Sequence, residues 1–361
     1  MASDDLSGND GGQTHLEITQ KELGMILYDE DLNEGLFDFG IEIPVLASRA
    51  AKTFDFLKSH KILGAHLDQW HIPKIEEQIT REDLLRVHSR DYVDRLYSPE
   101  LEQELIRTFE LIDDQGNYHR YDPAKAALPL TRLFDRTLAT VASTAQSCRT
   151  ALDKTFCFAF RGGMHHAQQN YGAGFCPLND IVIAIRKLQA EKRIRTVWVI
   201  DVDAHKGDGT AALSRGDDSI TTLSIHMARG WPLDGDEYDG AGNLNPSFIP
   251  SNIDIPIGPG EESSYVPRLE KGLSQLERLP KPDLAVVVCG SDPYEKDELP
   301  STSDLKLTLA QLAARDRLVY NFLKHRSISR AYLMAGGYGR ESWRVYAQFL
   351  EWALVDNLNI V

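Results

Sequence analysis

The sequence predicts an α/β fold, a single domain with a mostly parallel central sheet between helix layers, and two observations predict it. Short apolar runs rich in β-branched and aromatic residues recur without polar alternation, the pattern of strands buried on both faces. Between them lie longer stretches with apolar residues at helical spacing, as parallel crossovers require. The 361 residues, 42% hydrophobic and 26% charged, suffice for one large core and are too mixed for a disordered chain.

In chain order, residues 1–18, which open with MASDDLSGNDGGQTH, are rich in Ser, Asp, Gly and Asn and are expected to form a disordered tail. Residues 19–361 carry no internal repeat, linker or low-complexity stretch and are expected to form one domain. Helical spacing runs through residues 45–61 (VLASRAAKTFDFLKSHK), 130–152 and 304–325. Residues 98–125 are polar and irregular and are expected to cross the surface. The strand candidates are FCFAF (156–160), TVWVI (196–200), TTLSI (221–225), LAVVVC (284–289) and AYLMA (331–335).

Composition excludes several classes. No apolar run approaches the roughly 18 residues of a membrane helix, and the N-terminal stretch has no basic n-region or apolar h-region. A cytoplasmic location is expected. The four cysteines, Cys148, Cys157, Cys176 and Cys289, form no CxxC pair, which argues against a disulfide framework or a cysteine-rich zinc site. A formal charge of -15 disfavours nucleic acid as a direct partner and suits a cationic substrate.

Polar chemistry follows four of the five runs. FCFAF leads into Arg161-Gly162-Gly163 and then the adjacent His165 and His166; TVWVI into DVDAHKGDG; LAVVVC into Gly290-Ser291-Asp292; AYLMA into Gly336-Gly337-Tyr338. In open parallel sheets ligands bind beyond the carboxyl ends of the strands, so these clusters should converge on one site. Asp201, Asp203 and His205 alternate with Val202 and Ala204, so an extended backbone points all three one way. Two carboxylates and an imidazole suit an open catalytic zinc site better than a closed structural one. Asp203, His205 and Asp292 are the expected ligands.

The stretches HHAQQNYGAGFCPLNDIVIAI, DVDAHKGDG, SIH (224–226), GSDPYEKDELPS and MAGGYG resemble, in order and spacing, the zinc-dependent histone deacetylase family, which includes acetylpolyamine amidohydrolases. The resemblance runs from about residue 20 to the end. The pattern Asp292, Glu295, Asp297, Leu299 and the two-glycine GGY look most like class IV deacetylases. It implies the arginase/deacetylase fold for residues 19–361 and a zinc ion (Zn2+) on Asp203, His205 and Asp292. It further implies a potassium ion (K+) held by Asp201, Ser224, Ile225 and the backbone of Asp203 and His205. The histidines would each have a carboxylate partner, Asp201 for His165 and Asp208 for His166, and Tyr338 would be the transition-state tyrosine. Gly174, Phe175, Trp231 and Leu299 would line a narrow acyl tunnel. Arg49 would correspond to an arginine below that tunnel.

The implied reaction is hydrolysis of acyl-lysine or a related acylated amine. His166 would serve as base and acid and His165 as electrostatic partner, although the division of roles between the two stays open in the sequence. Leu299 stands where polyamine-specific relatives carry an acidic gatekeeper, with Glu298 beside it, so acyl-lysine peptides, with chains longer than acetyl at least as good, are the expected substrates. Acetylpolyamine or another small acylated amine is the alternative. Gly207 stands where a two-metal ureohydrolase needs an aspartate, and a non-catalytic binding relative would not need the complete set of groups. Cys176 reads as packing rather than nucleophile, and histidines 15, 60, 66, 71, 88, 119 and 325 read as surface or packing residues. Lys206 departs from class I deacetylases, and His226 reads as second-layer structure. Oligomeric state is not legible.

Overall fold

A computed structural model describes residues 23–357 other than 33 and 47. The expected tail, residues 1–18, and His15 lie outside the described residues. The described part is built on an eight-stranded sheet in the order β2-β1-β3-β8-β7-β4-β5-β6. The strands are β1 (Leu23–Leu27), β2 (His71–Ile72), β3 (Thr155–Ala159), β4 (Val197–Asp201), β5 (Ile220–Met227), β6 (Ile253–Ile257), β7 (Leu284–Cys289) and β8 (Ser329–Met334). Every pairing between them is parallel.

Unalternated strands follow from burial on both faces. In β4, Trp198 and Ile200 join one apolar core while Val197 and Val199 join the other; β7 divides in the same way, Ala285, Val287 and Cys289 against Leu284, Val286 and Val288. The period-2 alternation of side chains therefore sorts residues between two cores rather than between core and water. Helices Ser48–Ser59, Tyr265–Leu276, Leu309–His325 and Trp343–Asn357 cover the first face, and Leu133–Lys154 and Asp180–Ala190 the second. Among the described residues, no helix is long and apolar enough to cross a membrane.

All five expected strands are present within two residues of their expected limits. The helix expected over 304–325 starts at Leu309, because Thr308 and Gln311 form a reciprocal capping box that satisfies two orphan backbone donors. Residues 98–125 require a correction. They contain helix Leu101–Thr108, and Leu105, Phe109 and Leu111 are buried, so the segment packs against the molecule rather than only crossing its surface. Spacing of four through Leu101, Leu105 and Phe109 carried that signal, diluted by the charged residues between them.

Candidate active site

The four strands whose ends carry the polar clusters lie side by side in the sheet, β3-β8-β7-β4. Their C-terminal ends therefore face one crevice, and a cavity of about 180 Å³, open to solvent on one side, is lined there by His165, His166, Asp203, His205 and Tyr338.

The loop after β3 is pinned before it reaches the histidines. Asp180, the first residue of helix Asp180–Ala190 and fully buried, accepts the amides of Gly163 (3.0 Å) and Met164 (2.6 Å). His165 and His166 then stack with ring centroids 3.9 Å apart. His165 Nδ1 lies 2.6 Å from Asp201 Oδ2, and His166 Nδ1 lies 2.8 Å from Asp208 Oδ1, the pairing that the resemblance implied. Asp208 reaches His166 because Gly209 lets the helix Asp208–Ser214 approach; a Cβ at Gly209 would lie 2.4 Å from the Ala167 carbonyl oxygen. The other Asp208 oxygen accepts from Gln168 (2.9 Å) and Ser247 (2.8 Å), which fixes the carboxylate that fixes the ring.

The two rings differ electrically. Burial pulls both down, but the charges of Asp201 and Asp203 outweigh it at His165, whose pKa rises to about 9. At His166, burial and the neighbouring His165 charge prevail and lower it to about 4. With Nδ1–H committed to Asp208, neutral His166 presents Nε2 as a free base.

Asp203, His205 and Asp292 come together with one ligand atom each within 4.8 Å of the others, all buried. His205 Nδ1 lies 3.1 Å from Asp292 Oδ2 and 3.4 Å from Asp203 Oδ1, and Nε2 lies 3.1 Å from Ser301 Oγ. The remaining carboxylate oxygens accept backbone N–H groups, Asp203 Oδ2 from Gly336 (2.9 Å) and Asp292 Oδ1 from Ala204 (3.0 Å). Burial and the Asp203 charge push the Asp292 carboxyl up to about 7. Burial opposes charge on His205, yet its bonds to Asp203 and Asp292 raise its pKa to about 10. The two carboxylates and one imidazole could hold a metal ion, and such a donor set is one that open metal sites use.

Tyr338 is buried, and burial together with the Asp292 and Asp203 charges raises its phenol well above its usual pKa, so it remains an O–H donor. Its amide donates to Asp297 Oδ2 (2.7 Å), and the other Asp297 oxygen holds the Leu299 amide (2.9 Å). Leu299 packs in one buried cluster with Tyr338 and the partly buried Phe175. Glu298 Oε1 accepts the Arg340 amide (2.9 Å). The Trp231 ring stands edge-on to His166 at 4.4 Å and to His205 at 5.6 Å. A Cβ at Gly174 would lie 2.2 Å from Trp231 Cη2, so only glycine admits that ring here. Phe109 stacks on Phe175 at 5.9 Å, a contact made from the segment expected only to cross the surface.

Asp201 and Ser224 are register partners on β4 and β5, and Ser224 and Ile225 are buried. Arg49 donates to the carbonyls of Gly337 (2.8 Å) and Met334 (3.4 Å), beneath the tyrosine loop. Cys176 is buried with its thiol raised well above its usual pKa, chiefly by burial, which removes it as a nucleophile. His226 Nδ1–H donates to its neighbour's carbonyl, and buried Lys206 lies 3.6 Å from Asp254. His88 bridges the Gln168 carbonyl and the Asn179 amide.

Sequence reasoning missed Asp180, Ser301, Gln168, Ser247 and, most of all, Arg315. Fully buried in helix Leu309–His325, Arg315 donates to the carbonyls of Val202 (3.0 Å) and Gly290 (2.8 Å) and to Asp316 Oδ1 (2.8 Å). It ties together the two loops that bear Asp203 and Asp292.

A family model described as the histone deacetylase domain matches residues 44–352. An uncharacterized protein of Picosynechococcus is 30% identical over 58% of this chain and 64% of its own length. Histone deacetylase 2 of Arabidopsis thaliana is 26% identical over 76% and 65%, and histone deacetylase B of Dictyostelium discoideum 26% over 90% and 72%. The chain thus spans slightly under two thirds of the first two relatives.

Proposed function

Because the chain belongs to the histone deacetylase family, we propose that it is a zinc-dependent deacylase that hydrolyses acyl groups from lysine side chains, with residues 19–361 as its catalytic domain. The observation that carries this reading is the meeting, at one cavity, of a buried Asp-His-Asp cradle, a neutral histidine and a tyrosine donor. Asp203, His205 and Asp292 would hold the zinc, which when bound would supply Lewis acidity toward the amide carbonyl and the attacking water. His166, aimed by Asp208, takes the proton of the attacking water at Nε2 and returns it to the leaving lysine nitrogen. Tyr338 donates to the oxyanion that forms at the former carbonyl. His165, its charge held by Asp201, is the electrostatic partner: it keeps His166 neutral in the resting site and favours the negative charge of the oxyanion. Potassium on Asp201, Ser224, Ile225 and the backbone of Asp203 and His205 belongs to the same proposal.

Leu299 is buried and apolar, and Glu298 beside it turns one carboxylate oxygen to the Arg340 amide, which favours acyl-lysine over acetylpolyamines. A cavity of about 180 Å³ at this end supports acyl groups longer than acetyl as part of the same proposal. Four buried free cysteines suit a reducing, cytoplasmic compartment. The test is hydrolysis of acyl-lysine peptides of several chain lengths, in which chelator-sensitive turnover of any of them supports the reading, whereas turnover indifferent to chelator, or none on any peptide with zinc supplied, refutes it. Tyr338→Phe is expected to lower kcat by about two to three decades, the effect of removing one oxyanion donor, with zinc content and KM nearly unchanged. An unchanged kcat with a raised KM would make Tyr338 a binding residue instead.

A further inference from the structure

The cavity does not end at the cradle. Its lining continues past Phe160 to the face of helix Leu133–Lys154 and includes three guanidinium groups, Arg49, Arg136 and Arg161. Arg49 is occupied by backbone carbonyls. Arg136 Nε is buried without a hydrogen-bond partner among the described residues. Burial and the charges of Arg161 and Arg49 depress the Arg136 pKa to about 10, and burial also lowers that of Arg161. Glu34 lines the same cavity with its carboxylate 3.5 Å from Arg132; its charge favours both protonated arginines, as do Asp38 at Arg136 and Asp29 at Arg161, without offsetting the effect of burial.

Guanidinium groups that line a cavity half-buried, as Arg136 and Arg161 do, lose hydration when a ligand covers them and recover it only if that ligand pairs with them. Their planar forks match a carboxylate bidentately. An apolar acyl chain reaching this end would strip water from Arg136 and Arg161 and offer no bond in return. Accepting the acyl-lysine reading above, we propose that this end of the cavity receives the terminal carboxylate of a dicarboxylic acyl group, making succinyl- or glutaryl-lysine the preferred substrate class. The chemistry is the same hydrolysis: one water adds across the amide C–N bond, and a dicarboxylate and the free lysine amine leave.

The test compares kcat/KM of the zinc-loaded full chain for glutaryl-lysine and pentanoyl-lysine peptides, which match in chain length and differ in terminal charge, with acetyl- and myristoyl-lysine alongside. Glutaryl is expected to exceed pentanoyl by about 10- to 100-fold, the range of a charge-assisted hydrogen bond. Arg136→Met should collapse that ratio toward one, and Arg161→Met provides the same reading if the first variant does not fold. A wild-type ratio of one or below, with acetyl-lysine still cleaved, overturns the carboxylate pocket and leaves the deacylase standing. Competitive inhibition by acetate without any glutaryl preference also overturns it, since the cavity would then serve only the released product. Absence of chelator-sensitive cleavage of every acyl-lysine removes both readings.

Discussion

Asp292→Asn is expected to leave the purified protein with well under one zinc per chain and to lower kcat/KM at least about a thousandfold. Asp292 closes the cradle from β7, with Oδ2 3.1 Å from His205 Nδ1 and Oδ1 held by the Ala204 amide. The amide substitution removes a negative charge and a strong ligand while keeping the side chain's size. Lewis-acid assistance is worth several kcal/mol of transition-state stabilisation, and about 1.4 kcal/mol corresponds to each decade in rate. His205→Ala should behave alike, because it removes the only nitrogen of the cradle. Metal analysis of the purified variants and kcat/KM measured across a zinc titration check both; full activity in a metal-free variant would sink the assignment.

Arg315→Met is expected to destabilise the fold by about 3–5 kcal/mol, the cost of leaving a buried charged partner uncompensated. Methionine approximates the volume but abandons the Val202 and Gly290 carbonyls and the Asp316 carboxylate, all inside the molecule. Arg315→Lys should recover only part of this, since one ammonium cannot span two carbonyls and a carboxylate as a guanidinium fork does. Denaturant midpoints, at unchanged slope, measure the loss. A loss below about 1 kcal/mol in Arg315→Met would show that the network contributes little. Because Val202 and Gly290 flank the ligand-bearing positions, zinc affinity in the surviving folded fraction should also weaken.

Much of the site is legible in the sequence. The alternation of Asp201, Asp203 and His205, the adjacent His165 and His166, and the glycines around Tyr338 each sit directly after an apolar run, and short-range pattern is enough to read such placement. The resemblance supplied the partners Asp201 and Asp208, which the observed bonds pair with His165 and His166; of the four residues it named for a tunnel, Gly174 and Phe175 line the cavity, while Trp231 meets the His166 ring and Leu299 packs with Tyr338. Ser301 and Asp180 are not legible, because a serine in a polar loop or an aspartate at a helix start has many ordinary uses. Each acquires its role only from a neighbour distant in sequence. His205 is 96 residues from Ser301, and the Gly163 and Met164 amides are 17 and 16 residues from Asp180.

The sequence by itself determined the five central strands, the fold class and the groups that end those strands, since a strand buried on both faces must be apolar throughout and its exit must turn. The tertiary structure alone decided the edges. β6 reads IDIPI with alternating burial because an edge strand meets water and tolerates a proline, and β2 is two residues long. It also decided that Phe109 leaves a charged segment to stack on Phe175, that Arg315 joins two ligand loops, and that Arg136 and Arg161 share a cavity with the site. Buried charge has no sequence period. Its placement follows from which carbonyls and carboxylates the packed sheet and helices leave within reach.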